Sequence, residues 1–322
     1  MTQTNNSLSF VGIDVSKQKI DVARRPNGKH CEFTYNADDI QALIDTLKTW
    51  GPVFVVLEAT GGLERPIVAE LASAGIEVAV VNPRQVRDFA RGVGKLAKTD
   101  PIDADVLARF AEVVRPAPSQ KVPEKQRELQ ELVTRRQQLI AIRTAETNRK
   151  GTASAKVARR SLEKMLKTIN SQITELDEAI AKLVWKDNDD WRRKAELLQS
   201  VPGVGQVISC NLLATLPELG NLNREQIAAL AGLAPYNHDS GKLKGKRSIW
   251  GGRANARQAL YMAALTARNC NPTIRAFAKR LEATGKLFKV VITACMRKLL
   301  VILNTMLKNN TPWINKYALQ KS

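Results

Sequence analysis

The sequence predicts an α/β domain followed by an all-α remainder, and three observations carry that expectation. Short runs of β-forming residues alternate with helical spacings through residues 8–92. Beyond residue 123 the apolar periodicity is helical almost throughout. The charge divides at the same place. Residues 1–120 are close to neutral, and the excess behind the formal net charge of +19 lies beyond them, most of it after residue 200.

The elements follow in order. "LSFVGIDVS" (8–16), "KIDVARR" (19–25) and "HCEFTY" (30–35) read as three short strands, with the turn "PNGK" between the last two. "ADDIQALIDTLKTW" (37–50) has helical spacing at Ile40, Leu43, Ile44 and Leu47 behind an Asp-rich start. "VFVVLEA" (53–59) is a buried-type strand, "LERPIVAELASAG" (63–75) a helix ending at Gly75, "EVAVVN" (77–82) another strand, and "PRQVRDFARG" follows it. Three strands suited to an antiparallel meander, then strands joined by right-handed crossovers, match the order of ribonuclease-H-like nucleases. "APSQKVP" (117–123) reads as a linker. In the second of two long helical stretches, Leu162, Leu166, Ile169, Ile173, Leu176, Ile180 and Leu183 form a heptad seam, a coiled-coil signature. In the first stretch Arg136 falls on the seam. Three parts result: an α/β domain at 1–116, a helical coiled-coil linker at 117–194, and a mainly helical domain at 195–322.

Several classes drop out. The N-terminus has no basic segment followed by an apolar run, and apolar runs such as Phe54–Leu57 are far shorter than a membrane span. Cys31, Cys210, Cys270 and Cys295 are scattered, which argues against a zinc site or disulfide frame and for reduced cytosolic thiols. A cytoplasmic protein with a polyanion partner, nucleic acid rather than membrane, is expected.

The acids of the first domain point to chemistry. Asp14 ends the first strand and Glu58 the fourth, and in a ribonuclease-H-like sheet these strands are neighbours. Acids at the ends of such apolar runs are costly to bury unless paired or bound to a cation. In "KTDPIDADVLARF" (98–110), Asp100 reads as an N-cap, Pro101 as the first helical residue and Asp103 as the third. Asp100 and Asp103 share a helix face, so they can aim together at the sheet edge, whereas Asp105 reads as a solvent-facing charge. Four carboxylates supply the hard oxygens that Mg2+ or Mn2+ prefers. An acidic helix cap alone would give the same local pattern.

The basic part offers three features. "NRKGTASAKVARR" (148–160) carries Arg149, Lys150, Lys156, Arg159 and Arg160 without an acid; it reads either as a solvated hairpin or as a contact to nucleic-acid backbone. "VPGVG" (201–205), with Gly203 and Gly205 before an apolar helix, is helix-hairpin-helix-like and would bring backbone N–H groups to a phosphate. Ser240–Gly241 precedes Lys242, Lys244, Lys246, Arg247, Arg253 and Arg257, with no acid between Asp239 and Glu282. A serine among cations could attack a phosphodiester, or could be a polar turn residue in a DNA-binding loop.

"GIDVSK", "EATGG", "KTDPIDA", "VPGVG" and "DSGKLKGK", in this order over nearly the whole chain, resemble the DEDD-type insertion-sequence transposases. These are the bridge-RNA-guided serine recombinases, with the related pilin-gene DNA invertases. The resemblance implies a RuvC-like first domain, a metal-binding tetrad of Asp14, Glu58, Asp100 and Asp103, and a catalytic serine at Ser240 that links covalently to DNA. It implies a non-coding guide RNA paired with DNA, and homo-oligomers (a dimer, and a tetramer in the synaptic complex) in which the metal site of one protomer works with the serine of another. A junction-resolving nuclease using metal ions alone, and a non-catalytic nucleic-acid-binding protein, are the competing readings. The expected setting is a prokaryotic cytoplasm, at the nucleoid.

Overall fold

The computed structural model describes residues 8–97, 99–119, 122–237, 239–241, 243–245 and 247–314. The chain divides into two compact units, residues 1–122 and 123–322.

In the first unit the strands are β1 (Ser9–Val15), β2 (Lys19–Arg25), β3 (Lys29–Thr34), β4 (Val53–Glu58) and β5 (Glu77–Val81), with helices α1 (Ala37–Thr49), α2 (Glu64–Ser73), α3 (Pro83–Gly92) and α4 (Asp100–Val114). The sheet order is β3-β2-β1-β4-β5, with β1 antiparallel to β2, β2 antiparallel to β3, and β1, β4 and β5 parallel. This mixed sheet is the topology expected of a ribonuclease-H-like fold. Strand alternation divides its side chains between two layers. Val11, Ile13, Val15, Ile20 and Val22 bury against the apolar stripe of α1, while Phe10, Phe54, Val56 and Val81 bury on the α3–α4 side. Each large side chain so buried contributes about 1.5–3 kcal/mol.

Helix α4 sits unusually close to the sheet. Ala23, Ala104 and Ala108 form their own small-residue cluster, and a Cβ on Gly12 would fall 2.2 Å from the Ala104 carbonyl oxygen. The start of α4 differs from the sequence expectation by one residue. The Thr99 carbonyl accepts the first helical bond, from the Asp103 N–H at 2.8 Å, so Thr99 is the cap, Asp100 the first helical residue and Pro101 the second. Asp105 is also corrected: it lies 3.5 Å from Arg25, which bonds Glu112 at 2.7 Å, and is not a solvent-facing charge.

The second unit opens with two long helices, α5 (Glu124–Thr152) and α6 (Lys156–Trp185), paired as an antiparallel hairpin. Their break spans residues 153–155 only, so most of "NRKGTASAKVARR" is helical. Ile169 and Ile173 meet Leu139 along the pair, and Ile180 and Leu183 join the main core of the unit. Arg136, on that seam, is held by a fork of two bonds to the Asp177 carboxylate. Helices α7 (Asp189–Gln199), α8 (Gln206–Thr215) and α9 (Arg224–Leu230) precede a set of two-residue strands, β6 (Pro235–Tyr236), β7 (Asp239–Ser240), β8 (Leu243–Lys244) and β9 (Ser248–Ile249). These strands pair β6 with β9 and β7 with β8, a nested hairpin that helical spacing alone did not anticipate. Helices α10 (Ala254–Cys270), α11 (Pro272–Ala283) and α12 (Phe288–Asn309) complete the unit. By length and composition α12 could cross a membrane, a feature the short apolar runs did not reveal. Val291, Ile292, Cys295, Leu299, Leu300 and Leu303 bury one face of it in the core.

Candidate active site

The four predicted acids meet in the first unit. The β1–β4 register runs through Ile13 opposite Leu57, which puts Asp14 and Glu58 next along adjacent parallel strands. Both follow, two residues on, side chains of the face that α4 covers: Gly12, which meets α4, and Val56. The close seat of α4 brings Asp100 and Asp103, in its first turn, to the same edge. The electrostatics record this convergence. Asp14 is half-buried, and its pKa is pushed up to about 6, first by burial and then by the charges of Glu58, Asp103 and Asp100. Both effects disfavour the charged form of a carboxyl.

The donor set fits a divalent cation. All four groups are hard oxygen donors, as Mg2+ and Mn2+ require. Among the described residues no group of three or more His, Cys, Asp or Glu side chains already stands in ligating geometry.

Sequence reasoning missed two supporting residues. Gly12 sets the height of α4; its signal, a glycine inside a strand two residues before an acid, marks a close backbone approach. Glu64 is buried and accepts from the Thr60 N–H (3.0 Å), the Thr60 hydroxyl (2.9 Å) and the Gly62 N–H (2.9 Å). Burial alone would raise its pKa, but these bonds hold it below the usual range. Glu64 thereby fixes the "ATGG" loop that follows Glu58.

In the second unit Ser240 is exposed on the inner strand pair of the β6–β9 hairpin, opposite Leu243. Gly241 beside it turns the chain at φ +55°, and Asp239 accepts from the Gly245 N–H at 3.1 Å. Lys242, Lys246 and His238 lie outside the described residues, and of Lys244 only the backbone, in β8, is described. Arg247 is exposed.

Arg253 and Arg257, expected at nucleic acid, both make bonds within the protein. Arg253 forks onto Glu218 with two bonds of 2.6 Å and donates to the Thr215 carbonyl at 2.8 Å. Arg257 donates to the Gly251 carbonyl at 2.6 Å. Beside them Gly232 and Gly252 touch backbone to backbone, each at positive φ, so a Cβ on either would collide. Both arginines thus clamp the base of the hairpin that carries Ser240.

Gly203 (φ +102°) lies in the α7–α8 turn, where a Cβ would be 2.7 Å from Ala267, so its first duty is close packing on α10. Gly205 caps α8 with open space around it. Arg149, Lys156, Arg159 and Arg160 are exposed around the hairpin tip, while Lys150 pairs with Glu163 at 3.0 Å and Arg149 bonds Glu146.

Comparison with known proteins adds an independent line. Residues 11–152 match a family model described as a transposase, the DEDD type of IS110, and residues 195–279 match one described as the transposase IS116/IS110/IS902 family. The pilin gene-inverting protein of Moraxella bovis is 28% identical over 95% of this chain and 98% of its own length. That of Moraxella lacunata is 29% identical over the same shares. The transposase of insertion sequence IS1111A from Coxiella burnetii is 26% identical over 73% of this chain and 70% of its own.

Proposed function

This chain belongs to the DEDD-type IS110/IS116 transposase family, enzymes that cut and rejoin DNA, and from that premise we propose a strand exchange divided between Ser240 and the acidic tetrad. The single observation that carries the proposal is the crowding of Asp14 by Glu58, Asp103 and Asp100 at one sheet edge.

In this reading the Ser240 Oγ forms a bond to the phosphorus of a phosphodiester. The 3′ oxygen of the neighbouring nucleotide departs with the proton, and a 5′-phosphoserine link remains. Attack by the 3′ hydroxyl of another strand reverses the step and frees the serine. Asp14, Glu58, Asp100 and Asp103 would hold Mg2+ or Mn2+, which when bound supplies positive charge for the phosphate oxygens. The exposed position of Ser240 on a clamped hairpin suits a nucleophile that must reach a duplex. Arg149, Lys156, Arg159, Arg160 and Arg247 offer charge for nucleic-acid backbone, including a guide RNA. Gly203 and Gly205 would present the α7–α8 turn to a phosphate as a helix-hairpin-helix does, with α8 behind it. The α5–α6 hairpin would act as a coiled-coil linker between the RuvC-like and C-terminal parts and in homo-oligomers, with the tetrad of one protomer serving Ser240 of another.

Inversion of a DNA segment is the second reading, favoured by the near-full-length likeness to the pilin gene-inverting proteins. Both uses share the same chemistry. The deciding experiment is to trap a protein–DNA adduct and map it by mass spectrometry. The adduct is expected on Ser240, and Ser240→Ala is expected to abolish it together with strand exchange. Full exchange by Ser240→Ala would refute the serine mechanism, and cleavage without rejoining by both proteins would favour a metal-only nuclease.

A further inference from the structure

We propose that Lys19 is the built-in counter-ion of the acidic site, holding Asp100 while no cation is bound and competing with a divalent cation for that carboxylate. The inference rests on the tetrad reading above.

The sheet register motivates it. Asp14 pairs with Asp21, and Asp21 with Glu32, so these three acids stand in a row across β1, β2 and β3 on one face. Glu58 extends the row onto β4. Like charges in register repel, and Asp21 is only 5% exposed, where an unbalanced charge is costly. The row therefore carries more negative charge than the tetrad alone.

Lys19 answers that charge. It lies two residues before Asp21 on the same strand and so on the same face. Its Nζ is 3.1 Å from Glu32, 3.8 Å from Asp21 and 3.7 Å from Asp100. Of these three only the Glu32 contact is a hydrogen bond, so the ammonium stands among three carboxylates as a central cation does. Asp100 is the one member that comes from α4, and through it Lys19 ties β2 to the mouth of that helix.

The backbone of Lys19 is fixed by the β1–β2 turn. Its N–H donates to the Ser16 hydroxyl at 3.1 Å, and its carbonyl accepts from that hydroxyl at 3.0 Å and from the Ser16 N–H at 2.9 Å. The side chain thus leaves from a fixed point, and a divalent cation at Asp100 would stand beside this ammonium.

The test uses the full-length protein, Mn2+ as the probe, isothermal titration calorimetry, and the thermal midpoint without metal. Removing one positive charge a few ångströms from a hydrated divalent site is expected to tighten Mn2+ binding by roughly three- to tenfold. Lys19→Met should show that gain together with a lower metal-free midpoint, and Lys19→Arg should restore both to near wild type. A Lys19→Met protein that folds only with Mn2+ also supports the proposal. Unchanged or weaker Mn2+ binding, an unchanged metal-free midpoint, or a Lys19→Met chain unfolded with and without Mn2+ overturns it. Asp14→Asn separates the two layers of inference. If the wild type binds no Mn2+, or Asp14→Asn binds it equally well, the tetrad reading falls and this one with it. If only Lys19→Met behaves like wild type, this inference alone falls.

Discussion

Gly12→Ala tests whether the seat of α4 controls the acidic site. The added methyl would lie 2.2 Å from the Ala104 carbonyl oxygen, 2.2 Å from the Ala108 nitrogen and 2.7 Å from the Leu107 Cβ. Contacts at optimal separation are about 3.5–4.0 Å, so α4 has to retreat by about 1–1.5 Å. The two shortest contacts are with helix backbone, so no change of rotamer relieves them. Gly12 is not at positive φ, so alanine meets no conformational penalty and would even favour the strand by about 0.5–1 kcal/mol. Overpacking costs about 1–3 kcal/mol, and the two backbone clashes put this site at the upper end, so the expected net loss is about 2 kcal/mol. The same retreat carries Asp100 and Asp103 away from Asp14 and Glu58, and a displacement of about 1 Å lowers rate on the order of 100-fold. Urea denaturation followed by circular dichroism measures the first effect; strand exchange and Mn2+ titration measure the second. A variant within about 0.5 kcal/mol of wild type, with unaltered exchange and Mn2+ affinity, would refute the reasoning.

Two further outcomes follow from the described contacts. Because the Asp14 pKa is about 6 in the folded protein against an ordinary 3.8, the folded state binds its proton more tightly than the unfolded chain. Metal-free stability therefore falls as pH rises from about 4 to about 6. Scanning calorimetry should show a weaker decline in Asp14→Asn, and equal declines would contradict the convergence. Arg253→Lys should lose about 1 kcal/mol, since an ammonium cannot reproduce the fork onto the partly exposed Glu218, while the salt dependence of DNA binding stays unchanged. A shallower salt slope without loss of stability would put Arg253 on the phosphate backbone instead.

The sheet and the gathering of the four acids are legible because each leaves a mark in the sequence. β1 to β5 announce themselves by alternation or apolar runs, and Asp14 and Glu58 interrupt such runs where an unpaired acid is costly. The start of α4 lies one residue before the sequence expectation because Thr99 and Asp100 are both ordinary cap residues, and only the backbone decides which carbonyl takes the first helical bond. The Gly12–Ala23–Ala104–Ala108 contact was invisible because small residues carry no periodic signature and their fit depends on a partner far along the chain. Composition cannot reveal that Glu218 and the Gly251 carbonyl stand in reach of Arg253 and Arg257. The paired strands between residues 235 and 249 are only two residues each, too short for alternation to show.

The α5–α6 hairpin has a consequence for leverage. Helix α5 is 29 residues long, about 43 Å at 1.5 Å per residue, and its last buried residue is Leu139. Its base is pinned to the end of α8, where the buried Gln126 amide donates to the carbonyls of Leu213 at 3.0 Å and Ala214 at 3.2 Å. A rod anchored at one end turns small angles into long strokes: a tilt of about 10° at the base sweeps the far end through about 7 Å, more than one helical turn of rise. The orientation of the basic tip around residues 149–160 is thus set at the base, by Gln126 together with the buried Leu129, Val133, Ile180 and Leu183. A change at that buried amide would be felt as a misdirected reach rather than as a lost contact.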